Sequence, residues 1–429
     1  MYKLLLLCAI LASPSLMAQP KTDTLLQNIL SAGNSDIVTQ VMQNSQAYRL
    51  QIIYTRIDRD KKNKPVFTNY YYHYDPNLYF NPASTVKMPL AFLSLEKLNK
   101  MKVKDVNKFT FMQFDSSYEK QTRLYRDSTS ENQLPSIAHF IKKAFLISDN
   151  DAYNRMYQFV GQQTIHRSLK KKGYEGVRIP RQFMGFTMEQ NRHTNAIRFI
   201  DENGRLVYAQ PPAYNKDSFD FSQVIKIGKA YMNRNDSVVN EPFDFTIHNN
   251  ISLEDLRMIL QSVMFPASVP KKQRFDLTGN DYEFLYRYLS QYPSETSYPK
   301  YDDSVYYDSY VKFFFRDSTH RMPEHVRVFN KVGWAYGFLT DVSYVADFNN
   351  KLEYMLAATL YVNEDEVLND NKYEYTTVGW PFLNQLGRII YQYELKRERR
   401  HKPDLSNFVI QYEKRDPKDT RPAIKDADN

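Results

Sequence analysis

One cysteine, Cys8, stands in a sequence of 429 residues, and no stretch beyond the N-terminus is a long apolar run. A spanning helix needs ~20 consecutive apolar residues, so no integral membrane segment is expected in the mature chain. Cys8 lies inside the apolar run Leu4–Ile10, which Lys3 precedes and a small-residue, proline-containing stretch follows, ending Leu16-Met17-Ala18-Gln19. That order of charge, apolar core and small residues reads as a secretory signal peptide, residues 1–18, cut after Ala18. The mature chain then has no thiol. Disulfides are excluded, and stability has to come from packing alone. A periplasmic or secreted location is expected.

Other absences narrow the chemistry. The eight histidines show no H-E-x-x-H and no paired spacing, so neither a metal nor a cofactor is expected. Lys and Arg outnumber Asp and Glu 57 to 49, and part of the excess sits in "KRERRHK", Lys396–Lys402. No Gly-rich aromatic RNA motif or zinc-finger spacing accompanies that charge, so nucleic acid is not an expected partner. A modestly basic surface is compatible with anionic cell-envelope polymers. A monomer is expected.

Along the chain, "AYRLQIIYTRI" and "VFTNYYYHY" read as two strands joined by the turn "DRDKKNKP". A helix follows from about Ala83 to Lys100. Another runs from Ser136 to about Ile147, pauses at "SDND" and resumes through "AYNRMYQFV". Residues 201–250 read as irregular, with one helix over "FSQVIKIGKAYMN". "SLEDLRMILQSVMF" is an amphipathic helix with Ser252 as N-cap and Asp255 at the reciprocal position, and "DYEFLYRYL" makes another. Three strands, "HVRVFNKVG", "DVSYVADF" and "LEYMLAATLYV", precede a closing helix "WPFLNQLGRIIYQYEL". Beyond Lys396 the chain is polar and reads as a charged tail, residues 396–429. These elements describe an α+β fold. An antiparallel sheet is built from N- and C-terminal strands, with helices covering it and a helical lobe between.

Three short motifs carry the chemistry. S-x-x-K occurs seven times, and any single copy is ordinarily solvated helix surface. The copy at Ser84 differs in position: Pro82-Ala83 starts the helix, so Ser84 lies where free backbone N–H groups can stabilise charge on an acyl oxygen. Residues three apart share a helix face, so Lys87 can reach the Ser84 hydroxyl. In an apolar setting a lysine loses basicity and can act as general base. Ser148-Asp149-Asn150 is the one S-D-N in the chain, at a helix-to-helix junction where a side chain can enter a cleft or simply cap the next helix. Lys331-Val332-Gly333 lies on a strand, unlike the K-x-G copies at Lys171 and Lys226, and its glycine permits close backbone approach.

In this order the three motifs resemble the signature of serine β-lactamases and penicillin-binding proteins, and the chain resembles the class A β-lactamase family from roughly Tyr48 to Leu395. Tyr336-Gly337 and Asp341, after the lysine strand, fit the same pattern. The resemblance implies one β-lactamase-like catalytic domain over residues 19–395. It implies Ser84 as acylated nucleophile, Lys87 as proton acceptor and Ser148 as proton shuttle to the leaving nitrogen. Asn150 would bind the substrate's side-chain amide, and Lys331 would face Ser148 and the substrate carboxylate. The backbone N–H groups of Ser84 and Trp334 would form the oxyanion hole beside Gly333.

Two departures bear on substrate. Val332 stands where the family has a hydroxyl that helps bind the carboxylate of a penicillin, and valine cannot donate that bond. The family places a deacylating Glu just past an R-x-x-R-like stretch; here nothing acidic follows Arg181 directly, and Glu189 comes eight residues later, either as a displaced base or as surface. Extra chain near 197–250 and 293–320 lengthens the interval from Ser148 to Lys331, as groove lining or as plain loop. The expected activity is hydrolysis of a β-lactam, or of a peptidoglycan-derived amide or ester, through an acyl-Ser84 intermediate. The alternatives are a D,D-peptidase or esterase with slow deacylation, and a catalytically retired envelope-binding protein.

Overall fold

The computed structural model describes residues 20–427. The expected signal peptide, and Cys8 with it, lies outside the described residues. Two short helices, α1 (Thr24–Ala32) and α2 (Asp36–Gln43), precede strands β1 (Gln51–Arg59) and β2 (Pro65–Tyr72). A 3₁₀ turn over Ala83–Val86 runs into α3 (Lys87–Met101), then come β3 (Phe111–Asp115), α4 (Ile137–Leu146), α5 (Asn150–Val160) and α6 (Gln162–Lys172). Short strands follow: β4 (Ala196–Ile200), β5 (Leu206–Gln210), β6 (Lys226–Ile227), β7 (Ala230–Met232), β8 (Val238–Val239) and β9 (Phe243–Asp244). Helices α7 (Leu253–Met264) and α8 (Gly279–Ser290) lead to the long strands β10 (Val326–Ala335), β11 (Phe338–Asp347) and β12 (Leu352–Tyr361). After β13 (Val367–Leu368), α9 (Trp380–Lys396) is the last long element. Among the described residues no helix is long and apolar enough to cross a membrane.

The main sheet runs in the order β10-β11-β12-β1-β2 and is antiparallel throughout, so the N-terminal pair is added beside the three C-terminal strands in one sheet, as the sequence implied. Its centre is apolar on both faces because both are covered. Ile52, Tyr54, Val328, Val332, Leu356 and Ala358 pack toward α1, α2 and α9. Their neighbours Ile53, Phe329, Ala357 and Met355 pack toward the helical lobe of α3, α4, α5, α7 and α8. The alternation is the period of two of a strand, with each large side chain contributing about 1.5–3 kcal/mol on burial. The edge strand β10 is left facing the lobe, and the active cleft opens between them.

Two expectations are corrected. Residues 221–233 form no helix: Ile225 and Ile227 are buried while Lys226 between them is exposed, and the segment makes β6 and β7 instead. Gly228 turns the chain between those strands at φ +77°, and a Cβ there would meet Glu366 O at 2.6 Å. The charged C-terminal segment does not behave as a loose tail. Leu405 and Phe408 are buried in the lobe-side core, Glu413 pairs with Lys142 at 2.8 Å, and Ile424 bridges to Tyr301. Leu405 and Phe408 reach the core while Val409 beside them stays exposed, a spacing over which composition averages.

Candidate active site

The turn that begins α3 is held tightly. Ala83 adopts φ +42°, its N–H donates to Asn81 Oδ1 at 2.8 Å, and the Pro82 carbonyl accepts from Thr85 N–H and Thr85 Oγ. A left-handed alanine costs of order 1 kcal/mol and persists because these bonds over-determine it. Ser84 thus sits half-buried at the mouth of a cleft of about 550 Å³, and Lys87, the first α-helical residue, points back beneath it.

Lys87 is fully buried, and its Nζ lies 2.8 Å from Ser84 Oγ, 2.8 Å from Asn150 Oδ1 and 3.2 Å from Ser148 Oγ, with the Ser148 carbonyl oxygen also in hydrogen-bond contact. Two of these partners, the Ser148 carbonyl and Asn150 Oδ1, can only accept. The Lys87 amine therefore donates to both, with the Ser84 hydroxyl also within hydrogen-bond reach.

Ser148 holds φ +69°, which turns its side chain and carbonyl toward Lys87. The capping role considered for this tripeptide falls to its middle residue: Asp149 Oδ1 accepts from Ala152 N–H at 2.7 Å, and Asp149 also pairs with Lys143 at 3.2 Å. Ser148 and Asn150 face the cleft.

Lys331 comes from β10 and donates to Ser148 Oγ at 2.9 Å and to Val332 O at 2.8 Å. Burial, and then the neighbouring Lys87, pushes the Lys331 amine well below the ordinary lysine range. Gly333 explains how β10 approaches so closely. A Cβ at this position would meet Pro82 O at 2.5 Å, Ser84 N at 2.8 Å and Thr85 N at 2.9 Å. The backbone of 333–334 therefore lies against the Ser84 amide, the pairing an oxyanion hole requires.

Seven of the eight expected positions, Ser84, Lys87, Ser148, Asn150, Lys331, Gly333 and Trp334, lie together at this cleft. Glu189 does not. Its side chain is 54 % exposed, against His193 at 3.3 Å and Arg192 at 3.8 Å, and it is not among the residues lining the cleft. The reason is local: Asn191 Oδ1 accepts from Gln182 N–H, and Asn154 Oδ1 from Phe183 N–H, so amides rather than a carboxylate fasten this loop to the lobe. Val332 points to the opposite face of the sheet, into the core beneath α9.

Several lining residues were not singled out from the sequence. Arg181, Phe183, Arg234, His248 and Tyr310 all border the cleft, the last three from the two expected insertions. Phe183 lies with its ring centroid 5.2 Å from Lys87 Nζ and stacks on Tyr153. Among the described residues, no Asp or Glu lines the cleft. A larger groove of about 980 Å³ lies against the Asp404–Gln411 segment, away from this constellation.

The sequence model of the beta-lactamase enzyme family matches residues 27–205. No curated protein matches the chain. Solved structures similar to it include a beta-lactamase from Burkholderia ambifaria, 12 % identical with TM-score 0.47, covering 85 % of this chain and 100 % of that one. A class A beta-lactamase from Clostridium kluyveri is 14 % identical with TM-score 0.45, covering 83 % of this chain and 97 % of that one. The family match spans the Ser84–Lys87 pair and the Ser148 junction and ends before the Lys331 strand. Over residues 27–205, less than half of its length, the chain is thus similar to the beta-lactamase enzyme family.

Proposed function

We propose that this is an exported acyl-transfer enzyme whose Ser84 is acylated by a β-lactam, or by a related cell-envelope amide or ester, and releases the acyl group slowly. The observation that carries the reading is the convergence of two hydroxyls and two lysine amines, Ser84, Lys87, Ser148 and Lys331, in one hydrogen-bonded chain.

The neutral amine of Lys87 takes the proton of the Ser84 hydroxyl as Oγ attacks the carbonyl carbon. The backbone N–H groups of Ser84 and Trp334 receive the oxyanion. As the carbon–nitrogen bond breaks, Ser148 Oγ–H gives its proton to the departing nitrogen, and the proton gained by Lys87 refills Ser148. Lys331, beside Ser148, favours the developing negative charge on its oxygen. Asn150 fixes both Lys87 and, through its amide, the substrate.

Release of the acyl group requires an activated water. Among the described residues no carboxylate lines the cleft, and Glu189 is turned to solvent, which supports a persistent acyl-enzyme over rapid turnover. The retired-fold alternative gains no support, since all four polar side chains of the chain reaction hold mutual hydrogen bonds.

Incubation with a chromogenic cephalosporin, followed in parallel by absorbance and intact mass, tests this. The expected result is about one equivalent of ring opening with a stable adduct. Many turnovers with no adduct would contradict slow release, and no adduct or colour at all would contradict the acylation itself.

A further inference from the structure

One wall of the cleft plays no part in the chemistry above, yet it is built with care. Arg181 is fixed at three points: its N–H donates to Asn249 Oδ1 at 3.0 Å, its carbonyl accepts from Tyr153 OH at 2.8 Å, and its Nη1 donates to His248 Nε2 at 3.0 Å. Burial, with Arg181 beside it, holds His248 down to about 4, so the imidazole stays neutral and can only serve as an acceptor on that nitrogen. The guanidinium has five N–H donors and uses one here. Arg234 reaches the same wall from the 233–237 turn, its Nη2 3.9 Å from where a Cβ on Gly185 would stand. Tyr336, which lines the same cleft, has its phenol raised by burial and feels both guanidiniums in the opposite sense. Among the described residues neither arginine pairs with a carboxylate, and Gln182 on the same wall keeps a buried Nε2 without a hydrogen-bond partner.

Two cations beside one cleft with no acidic neighbour lining it repel each other and hold an unmet capacity for an anion. A fixed, planar guanidinium suits a carboxylate in particular. The lysine strand offers no hydroxyl for that purpose, since Val332 is turned into the core on the far face. Resting on the acyl-transfer reading above, we infer that Arg181 and Arg234 form a carboxylate subsite, and that the preferred substrate carries a carboxylate on the acyl side chain in addition to any charge met by Lys331. Arg181 supplies the rigid contact, and the exposed Arg234 closes over the group from its turn.

The test uses two penicillins that differ only in this feature, benzylpenicillin and its α-carboxy derivative. With the full chain, the second-order rate constant of adduct formation is expected to be about tenfold or more higher for the carboxy compound, the scale of one charge-assisted contact pair. In the Arg181→Gln, Arg234→Gln double variant that ratio is expected to fall to near one. Equal rates in the wild type, or a parallel fall for both compounds with the ratio kept, would overturn the subsite while leaving Ser84 acylation intact. Calorimetric titration of the full chain carrying Ser84→Ala gives a readout without acylation. Binding of the carboxy compound tighter by about tenfold, lost on adding Arg181→Gln, supports the subsite even if no adduct ever forms. Equal binding of the two compounds overturns it.

Discussion

Lys331 Nζ lies 2.9 Å from Ser148 Oγ although 183 residues separate the two in the chain. The sheet brings this about: β10 is its edge strand, and Gly333 lets that edge rest directly on the turn carrying Ser84. Ser84 and Lys87, Ser148, and Lys331 are therefore positioned by the turn into α3, the α4–α5 junction and the edge strand β10.

Gly333→Ala tests that contact. The new methyl would stand 2.5 Å from Pro82 O and 2.8 Å from Ser84 N, so β10 has to move off the nucleophile's turn. Acylation is expected to slow by about 100-fold or more, the scale of a lost oxyanion donor. Stopped-flow acylation rates check it; an unchanged rate would place the oxyanion contact elsewhere.

Glu189→Gln is expected to leave the rate of adduct loss within about twofold, because a carboxylate exposed to solvent and facing His193 has no path to the acyl carbon. The decay of the isolated adduct, followed by mass, measures this. A drop of the size of a lost general base, about 100-fold, would return Glu189 to the catalytic set.

A pH dependence of stability follows from Lys312, which is buried on the far side of β10 and donates to Leu289 O, Val328 O and Asn330 Oδ1 at 2.8, 2.9 and 2.6 Å. Burial pushes its amine down to about 7 in the folded chain, against about 10.4 when unfolded. Between those values the unfolded state binds the extra proton, so the contribution of Lys312 to stability rises with pH through this window. Asp341, which burial raises to about 6, changes its charge below the window and does not cancel the rise. Urea unfolding of wild type and Lys312→Met is expected to show a smaller gain from about pH 7 to about pH 10 in the variant.

The C-terminal strap is expected to be structural. Phe408 is buried against Phe265, Tyr286, Phe329 and Tyr344, with ring centroids 5.7, 5.3, 5.5 and 4.9 Å away. Phe408→Ala should cost about 3–5 kcal/mol, seen as a lowered urea midpoint with an unchanged acylation rate in the folded protein.

The sequence made some of this legible and hid the rest for physical reasons. Ser84 and Lys87 could be read because a helix fixes what lies three residues away, and the long strands β10, β11 and β12 because their apolar runs match strand length. Asn150 and Ser148 were legible as a pair, but only coordinates separate them from Asp149, which does the capping. Arg181 and Arg234 left no signal, since each is one basic residue in a polar loop and their meeting depends on how two loops fold back. Glu189 misled because loop length alone cannot say which way a side chain faces. The strap past Lys396 was hidden by its charge, since three or four well-placed apolar residues suffice to dock it.

The most direct measurement labels the protein with a fluorescent penicillin, digests it, and locates the label by peptide mass. The account predicts one labelled peptide, modified at Ser84, and no label in Ser84→Ala. Label on another residue, or label surviving in Ser84→Ala, would contradict it.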